Sequence, residues 1–182
     1  MINLHNYNLN TIKLNLYKKL NYSNIHKVPK LIKIVINTGL GLKAQNKIYL
    51  NKVINEMRLI FGQHPIITLT KKSIANFKIR KDVPIGLKIT LRKKLMYAFF
   101  EKLIKLVFPA IKDFNGLMKK HFDSYGNYNI SIKNQLLFPE VNFEDIDTQR
   151  GYNISIITNA QTQVEGFFLL KEFGFPFEYN DY

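Results

Sequence analysis

The sequence predicts an α+β fold built on a mostly antiparallel sheet. Segments with helix periodicity and segments with strand periodicity follow one another irregularly, which does not match the regular strand–helix alternation of a doubly wound parallel sheet. The chain has 182 residues, 46% of them hydrophobic, which is enough to bury one core. It contains no internal repeat and no low-complexity linker. We therefore predict one domain over residues 1–182, with helices on one face of the sheet, a polar opposite face and a long basic loop.

Four segments repeat apolar residues at the spacing of a helix face. Segment 11–20 is predicted to be a short amphipathic helix, and segment 46–61 a longer one that ends at Gly62. Segment 93–107 is apolar nearly all round, which predicts a core helix buried on more than one side. The last helix is predicted over residues 163–173.

Five segments have the alternation or the β-branched composition of strands: 31–37, 66–70, 85–91, 128–132 and 152–158. In the third, the odd-numbered positions are all Ile or Leu, and the even-numbered ones are Gly86, Lys88 and Thr90. This pattern predicts one apolar and one polar face, and the polar face is a candidate contact surface. The aromatic stretch 173–177 is predicted to fold back onto the core as a clamp.

The positive charge is concentrated in the first 81 residues, which hold 15 Lys and Arg and a single acid, Glu56. Their balance of +14 equals the net charge of the whole chain, because residues 82–182 hold 12 charges of each sign. A one-sided positive field attracts and orients a polyanion. The distribution of charge therefore predicts a nucleic-acid partner.

The composition excludes several classes of site. There is no Cys, so disulfides, thiolate nucleophiles and thiolate zinc sites are ruled out. The four histidines lie in separate segments without metal-ligand spacing. The longest apolar run, 31–36, is interrupted by Lys33 and falls far short of the ~18 residues of a membrane span. We expect no cofactor, no metal ion, no membrane contact and no cleavable targeting segment.

Catalytic groups are scarce as well. The acids Glu140, Glu144, Asp145 and Asp147 follow one another along a Pro-containing connection, which is typical of a solvated loop rather than of two opposed carboxylates. Ser73 and Ser124 have no base nearby in the sequence. We predict that the protein is not an enzyme.

One motif keeps an enzymatic alternative open. Gly39-Leu-Gly41 follows a predicted strand and precedes a predicted helix, as a dinucleotide-binding fingerprint does. However, no acid stands at the end of a following strand about 20 residues on, since Glu56 lies within a helix. A tight strand-to-helix turn explains the two glycines equally well, and a nucleotide-binding enzyme is the alternative.

The stretch from 63 to 92 has the composition of an RNA-contacting loop. Lys71, Lys72 and Ser73 precede Phe77, and Lys78, Arg80 and Lys81 follow it. Basic side chains neutralise phosphates, hydroxyls donate to phosphate oxygens, and an exposed ring stacks on a base or a ribose. The alternative is a solvated loop whose Phe77 packs into the core. A generic RNA chaperone is also compatible with this composition.

The order of the motifs closely resembles the bacterial-type large-subunit ribosomal protein number five. The matching stretches are Val28-Pro-Lys30, Ile34-Val-Ile-Asn37-Thr-Gly-Leu-Gly41, Gly62-Gln-His-Pro65, 71–80, 84–92, 108–114, Phe122-Asp123, Gly126-Asn-Tyr128, Phe138-Pro-Glu140, Arg150-Gly151 and Phe173-Gly-Phe-Pro-Phe177. They cover almost the whole chain in order, without large gaps.

The resemblance implies a structural protein that binds 5S rRNA and adjoining large-subunit rRNA in the central protuberance. The residues that it assigns to 5S rRNA are Lys33, Asn37, Gln63, Thr90 and Arg92. It assigns to P-site tRNA or rRNA a flexible loop that becomes ordered only on binding, with Lys71, Lys72, Ser73, Asn76, Phe77, Lys78 and Arg80. It further implies neighbouring ribosomal proteins, including a small-subunit head protein reached across a bridge at the opposite edge.

Three departures from the family pattern bear on these expectations. Asn76 stands where the family usually has Gly, which fits if the residue is in the left-handed region. Asn115 replaces a usual Arg, and Ser124-Tyr125 replaces a Gly/Arg-like pair, so one or two phosphate contacts are expected to be missing. The richness in Lys, Asn, Ile, Tyr and Phe is typical of an AT-rich gene. We expect a mitochondrial ribosome, with a plastid ribosome as the alternative.

Overall fold

The computed structural model describes residues 4–112, 114–141 and 148–178. Within these ranges it contains four α-helices and one five-stranded antiparallel sheet, which confirms the predicted α+β class. The helices are α1 (Leu4–Lys19), α2 (Lys47–Phe61), α3 (Lys93–Lys102) and α4 (Gln163–Glu172). The strands are β1 (Leu31–Gly39), β2 (Ile66–Leu69), β3 (Pro84–Leu91), β4 (Tyr128–Ile132) and β5 (Tyr152–Thr158), in the sheet order β2-β3-β1-β5-β4.

Each predicted helix and strand is present, with differences only at the ends. The bounds of β4 and β5 agree with the prediction, and α1 differs most, because it begins at Leu4 rather than at residue 11. The early start has no apolar stripe to announce it, since residues 4–10 are rich in Asn. The contacts of the chain divide it into two compact units, and the prediction of one domain stays a prediction.

Unit one is formed by the described residues of 1–34, 92–130 and 155–182. In it α1 packs against α3 and α4. Ile12 and Leu16 of α1 are buried. Near the end of α1, Lys19 forms an ion pair with Glu172 of α4, to which Asn15 also donates a hydrogen bond of 3.3 Å. The hydrogen bond from Lys19 lowers the pKa of Glu172.

The third helix departs from the prediction of burial on more than one side. Its buried residues, Met96, Phe99 and Phe100, lie on one face, and Leu95 is 43% exposed. The helix continues as a π-helical turn from Leu103 to Val107. The prediction was wrong because an all-round apolar composition does not tell which of the apolar faces a neighbouring element will cover.

The aromatic clamp of unit one is confirmed. The ring of Phe175 stacks on that of Phe100 with centroids 5.4 Å apart and meets Phe108 edge-on at 5.3 Å. Phe177 stacks on Phe122 at 5.8 Å. These contacts fix the end of the described chain on the core of unit one, since Phe175 is buried.

Unit two consists of the described residues of 35–91 and 131–154. Its helix α2 begins at Asn46, whose side chain accepts hydrogen bonds from the N–H groups of Ile48 and Tyr49. It ends at Gly62, which takes the left-handed conformation at φ 70° that glycine adopts without strain. The buried residues of α2 are Leu50, Val53, Ile54, Met57, Ile60 and Phe61.

Candidate nucleic-acid interface

The polar face of the sheet arises from the alternation of β3 and β1. Along β3, Leu87, Ile89 and Leu91 are buried, whereas Lys88 is exposed and Thr90 half-buried. This confirms the predicted apolar face of the strand. Along β1 the buried residues include Ile34, Ile36 and Thr38, and those between them, Lys33, Val35 and Asn37, are half-buried.

In unit two, β1 and β3 approach each other closely at Gly86. The N–H of Leu40 donates to the carbonyl of Ile85 at 2.9 Å. A Cβ atom at Gly86 would lie only 2.6 Å from the carbonyl oxygen of Thr38, so a side chain does not fit there. Because Gly86 alternates in phase with Lys88 and Thr90, the polar face has no side chain at this point. A partner could therefore reach the backbone here.

The residues assigned to 5S rRNA by the resemblance lie as follows. Asn37 on β1 and Thr90 on β3 belong to unit two and alternate with core residues of neighbouring strands. Gln63, also in unit two, is half-buried directly after the end of α2. Lys33 on β1 and Arg92, which precedes α3, belong to unit one. In the part of the chain that the structure describes, no hydrogen bond occupies the side-chain amides of Asn37 or Gln63, so both amides remain available to a partner.

The basic loop between β2 and β3 is a hydrogen-bonded hairpin. Ile74 and Ile79 pair as a β-bridge, with N–H to carbonyl distances of 3.0 and 3.2 Å in the two directions. The hydroxyl of Thr70 donates to the carbonyl of Arg80 at 2.5 Å and accepts from the N–H of Val83 at 3.1 Å. The N–H of Lys81 donates to the hydroxyl of Ser73 at 3.0 Å. The loop is thus folded by its own contacts, contrary to the expectation that it becomes ordered only on RNA.

The side chains of the loop point into solvent. Its cations are all exposed: Lys71, Lys72, Lys78, Arg80 and Lys81. Phe77 is 64% exposed, so the alternative in which this ring packs into the core is wrong. The loop therefore presents positive charge together with a bare aromatic ring.

Asn76 does not take the left-handed conformation. It lies in a short 3-10 turn from Ala75 to Phe77, and the positive φ values of the loop occur at Lys78 (53°) and Asp82 (62°). The sequence expectation for Asn76 was wrong because the backbone reverses two residues later than the family Gly suggests. An Asn side chain fits at position 76 without strain.

The glycine turn lacks the setting of a dinucleotide site. Gly41 has a positive φ of 59° and opens a 3-10 turn, Gly41–Gln45, that precedes α2. The first N–H groups of α2 are already occupied by the side chain of Asn46. The sheet is antiparallel, whereas the fingerprint requires a parallel strand–helix–strand unit. The nucleotide-binding alternative has no structural support here.

The sequence analysis missed a buried ionic cluster in unit two. Arg150 pairs with Glu56 of α2 at 2.8 Å, and the hydroxyl of Tyr152 donates to the same carboxylate at 2.7 Å. The guanidinium lies 5.3 Å from the ring centre of Tyr49. Burial, together with the charge of Glu56, raises the pKa of Tyr152. One signal was in the sequence, because Glu56 lies three residues after Val53 and four before Ile60 on the apolar face of a helix.

This cluster changes the electrostatics of the basic half of the sequence. Glu56, the one acid among the first 81 residues, has a side chain only 13% exposed, and a buried guanidinium neutralises it. Its negative charge therefore does not offset the exposed cations of that half. The field that the sequence predicted is reinforced by the fold.

The remaining predicted groups do not assemble into a reactive site. Glu144, Asp145 and Asp147 lie outside the described residues. Among the described residues, no group of three or more His, Asp or Glu is arranged to hold a metal ion. Ser124 and Tyr125 are exposed in a turn in which the carboxylate of Asp123 accepts from the N–H groups of Tyr125 and Asn127. None of the helices in the described ranges has the length and apolar character needed to cross a membrane.

Comparisons with known proteins agree with this architecture. The family model for ribosomal protein L5 matches residues 24–80, and a second model, for the C-terminus of the same ribosomal family, matches residues 84–177. The large ribosomal subunit protein uL5c of Heterosigma akashiwo is 55% identical over 166 residues, which cover 91% of this chain and 92% of the relative.

Bacterial relatives are similar to nearly the same extent. The large ribosomal subunit protein uL5 of a Synechococcus strain is 53% identical over 162 residues, 89% of this chain and 90% of the relative. The protein uL5 of Buchnera aphidicola subsp. Cinara cedri is 50% identical over 178 residues, 98% of this chain and 99% of the relative. The similarity thus extends over both units.

Proposed function

Because the chain belongs to the ribosomal protein L5 family, we propose that its polar sheet face binds 5S rRNA and that its basic loop contacts tRNA. Membership itself makes the protein a structural constituent of the large ribosomal subunit, where it acts in translation among rRNA and other ribosomal proteins, and not an enzyme. The identity of the RNA at each surface is the proposal. The central protuberance is the place that it implies.

The observation that carries the 5S rRNA assignment is the polar side of β1 and β3. Amides and hydroxyls such as those of Asn37 and Thr90 hydrogen-bond riboses and phosphates, and Lys33 and Arg92 neutralise phosphates. Gly86 leaves a gap in the side chains through which a ribose or phosphate can approach the backbone. Gln63 adds an amide at the end of α2. Together these residues recognise the shape of a folded RNA.

A pair of substitutions tests this face. Asn37→Ala combined with Arg92→Ala should weaken 5S rRNA binding about tenfold or more in a filter or mobility assay, because an amide contact and a charged contact are both lost. The matched control is Arg58→Ala, which removes the same charge from an exposed position on α2. Circular dichroism verifies that the fold persists. An affinity equal to that of the control would remove the assignment.

The loop is assigned to tRNA, or to rRNA beside it, on the strength of its five exposed cations and its bare ring. Deleting residues 71–81 should leave 5S rRNA affinity nearly unchanged, whereas ribosomes that carry the deletion should bind P-site tRNA more weakly. A large loss of 5S rRNA affinity would show that the two surfaces are not divided in this way.

The bridge to a small-subunit head protein is proposed from the family resemblance. Cross-linking within intact ribosomes, followed by identification of the partner, tests it. A partner confined to the large subunit would remove the proposal.

The relatives do not support the mitochondrial expectation, since they are plastid-type uL5c proteins and bacterial uL5 proteins. We propose a plastid ribosome, which also agrees with the AT-rich composition. Detection of the protein by mass spectrometry in ribosomes from purified plastids, and not in those from mitochondria, is the expected result. Its recovery from mitochondrial ribosomes alone would reverse the proposal.

A further inference from the structure

We propose that Phe77 stacks on an unpaired nucleobase of the RNA that the basic loop contacts, and that Thr70 is the residue that holds the loop in the stacking geometry. The inference rests on the proposed function of the loop as an RNA contact. It adds that one part of the contact is aromatic rather than ionic, and that the loop is shaped before the RNA arrives.

The frame of the loop is closed at its neck by one side chain. The hydroxyl of Thr70 bonds to both the carbonyl of Arg80 and the N–H of Val83, on the strand that leaves the loop. The backbone of Thr70 adds two bonds of 3.0 Å, to Val83 and Asp82. Four hydrogen bonds thus converge on this residue, more than on any other residue of the loop among those described. Loss of the hydroxyl removes two of them without changing the charge.

The tip of the loop is directed outward by a second set of contacts. The bridge between Ile74 and Ile79 closes a short segment whose centre is the 3-10 turn ending at Phe77. Lys78 then takes the left-handed conformation, at φ 53°, which reverses the chain directly after the ring. Phe77 stands at this reversal and is 64% exposed, and Ile74 beside it is 47% exposed. A well-formed hairpin therefore holds an apolar ring in water.

The charges around the ring decide which partner would cover it. Five cations and a single acid, Asp82, lie between residues 70 and 83. An apolar protein pocket that took in Phe77 would also have to desolvate these ammonium and guanidinium groups, at a cost that such a pocket does not offset. A nucleobase covers the ring, while the phosphates on either side of the base pair with the cations. RNA with an unpaired base satisfies both parts of the loop.

Cross-linking tests the inference directly. Ribosomes assembled with the full-length protein and carrying deacylated tRNA are irradiated with ultraviolet light, which joins a stacked ring to its base, and the joined peptide and nucleotide are identified by mass spectrometry. We expect a base joined to Phe77 in the parent protein and in Phe77→Tyr, which keeps the ring. Phe77→Leu, which keeps an apolar side chain without a ring, should lose the product.

Affinity provides a second readout. Phe77→Leu should weaken tRNA binding about fivefold to a hundredfold, the range for one base–aromatic stack, without changing the salt dependence. Lys72→Ala should instead reduce the slope of log affinity against log salt by about one.

The outcomes separate the inference from the proposed function. If Lys72→Ala alters RNA binding while Phe77→Leu does not, the loop contacts RNA and the stacking inference is wrong. A cross-link from Phe77 to a protein also overturns it. If neither variant alters RNA binding and no RNA is joined to the loop, both the inference and the proposed function of the loop fall.

The role of Thr70 is tested by Thr70→Val, with Thr70→Ser as the matched variant that restores the hydroxyl. Thr70→Val should accelerate hydrogen exchange at the amides of Asp82 and Val83 and lower the yield of the Phe77 cross-link several-fold. Thr70→Ser should return both to the parent values. If exchange accelerates in Thr70→Val but the cross-link yield does not fall, Thr70 does not position the ring.

Discussion

At the scale of single residues, the buried pair of Arg150 and Glu56 shows how one ion pair can serve a distant surface. The pair removes the negative charge of Glu56 from the basic half while keeping both side chains inside unit two. It is not fully satisfied, because Nε and Nη1 of Arg150 are buried without a hydrogen-bond partner in the described chain. Such a pair contributes little net stability, yet it is costly to break from one side.

This asymmetry gives a prediction for unfolding. Arg150→Met should lower the free energy of unfolding by about 3–5 kcal/mol, because it leaves the carboxylate of Glu56 buried without its cation. The double variant Arg150→Met with Glu56→Leu should recover most of that loss, since neither charge then remains. Urea unfolding monitored by circular dichroism measures both. A double variant as unstable as the single one would contradict this account.

At the scale of elements, the packing of α1 on α4 in unit one depends on an ion pair between their C-terminal halves. Glu172 contacts Lys19 and Asn15 of α1, and the hydrogen bond from Lys19 lowers its pKa from the ordinary value of 4.5. The carboxylate is mostly buried, whereas Lys19 is 52% exposed, so water screens the pair from one side. A modest contribution to stability is therefore expected.

The direction of the pKa shift sets the pH dependence. Because the pKa of Glu172 is lower in the folded than in the unfolded protein, its contribution is complete above about pH 5 and is lost as the pH falls through the folded pKa. Glu172→Gln should cost about 0.2–1 kcal/mol at pH 7, and the difference from the parent should shrink below about pH 4.5. Urea unfolding at several pH values measures it. A difference that grows on acidification would contradict the assignment, and Lys19→Ala in both backgrounds isolates the pair.

The basic loop is the element in which local contacts matter most for function. The sequence supplied its cations and its ring, but the neck at Thr70 and the reversal at Lys78 are features of the folded chain. If the loop is already shaped, RNA binding does not have to supply the conformational entropy of ordering it. A charged finger of this kind binds faster and more selectively than a disordered one of the same composition.

At the scale of the whole molecule, the partition of charge is the property most directly tied to RNA. The first 81 residues carry all of the net charge of +14, and the rest of the chain sums to zero. Binding that depends on phosphate contacts releases counterions, so its affinity falls steeply with salt. Shape recognition adds a preference for one RNA that salt does not abolish.

Salt titrations therefore separate a ribosomal role from that of a generic RNA chaperone. Affinity for 5S rRNA should fall by a factor of about ten or more between 50 and 200 mM salt, as phosphate contacts are screened. At every salt concentration it should exceed the affinity for an unrelated RNA of the same length. Equal affinities for the two RNAs throughout the titration would favour the chaperone.

The sequence by itself determined the class of fold, the positions of nine helices and strands in the described ranges, and the sign of the partner's charge. These follow from periodicity, from residue propensities and from the count of ionisable groups, all of which are local or additive along the chain. The alternation of β3 is the clearest case, because a period of two fixes which side chains share a face before any neighbour is known.

Only the tertiary structure decided the rest. It showed that Leu95 is exposed, that Phe77 stands in solvent, that Asn76 needs no left-handed backbone and that Glu56 is paired with Arg150. Each of these depends on which segments meet in space, and residues 94 positions apart, such as Glu56 and Arg150, leave no trace of their contact in a periodic pattern. Burial and pairing are properties of neighbours in the fold, and the order of residues along a chain does not contain them explicitly.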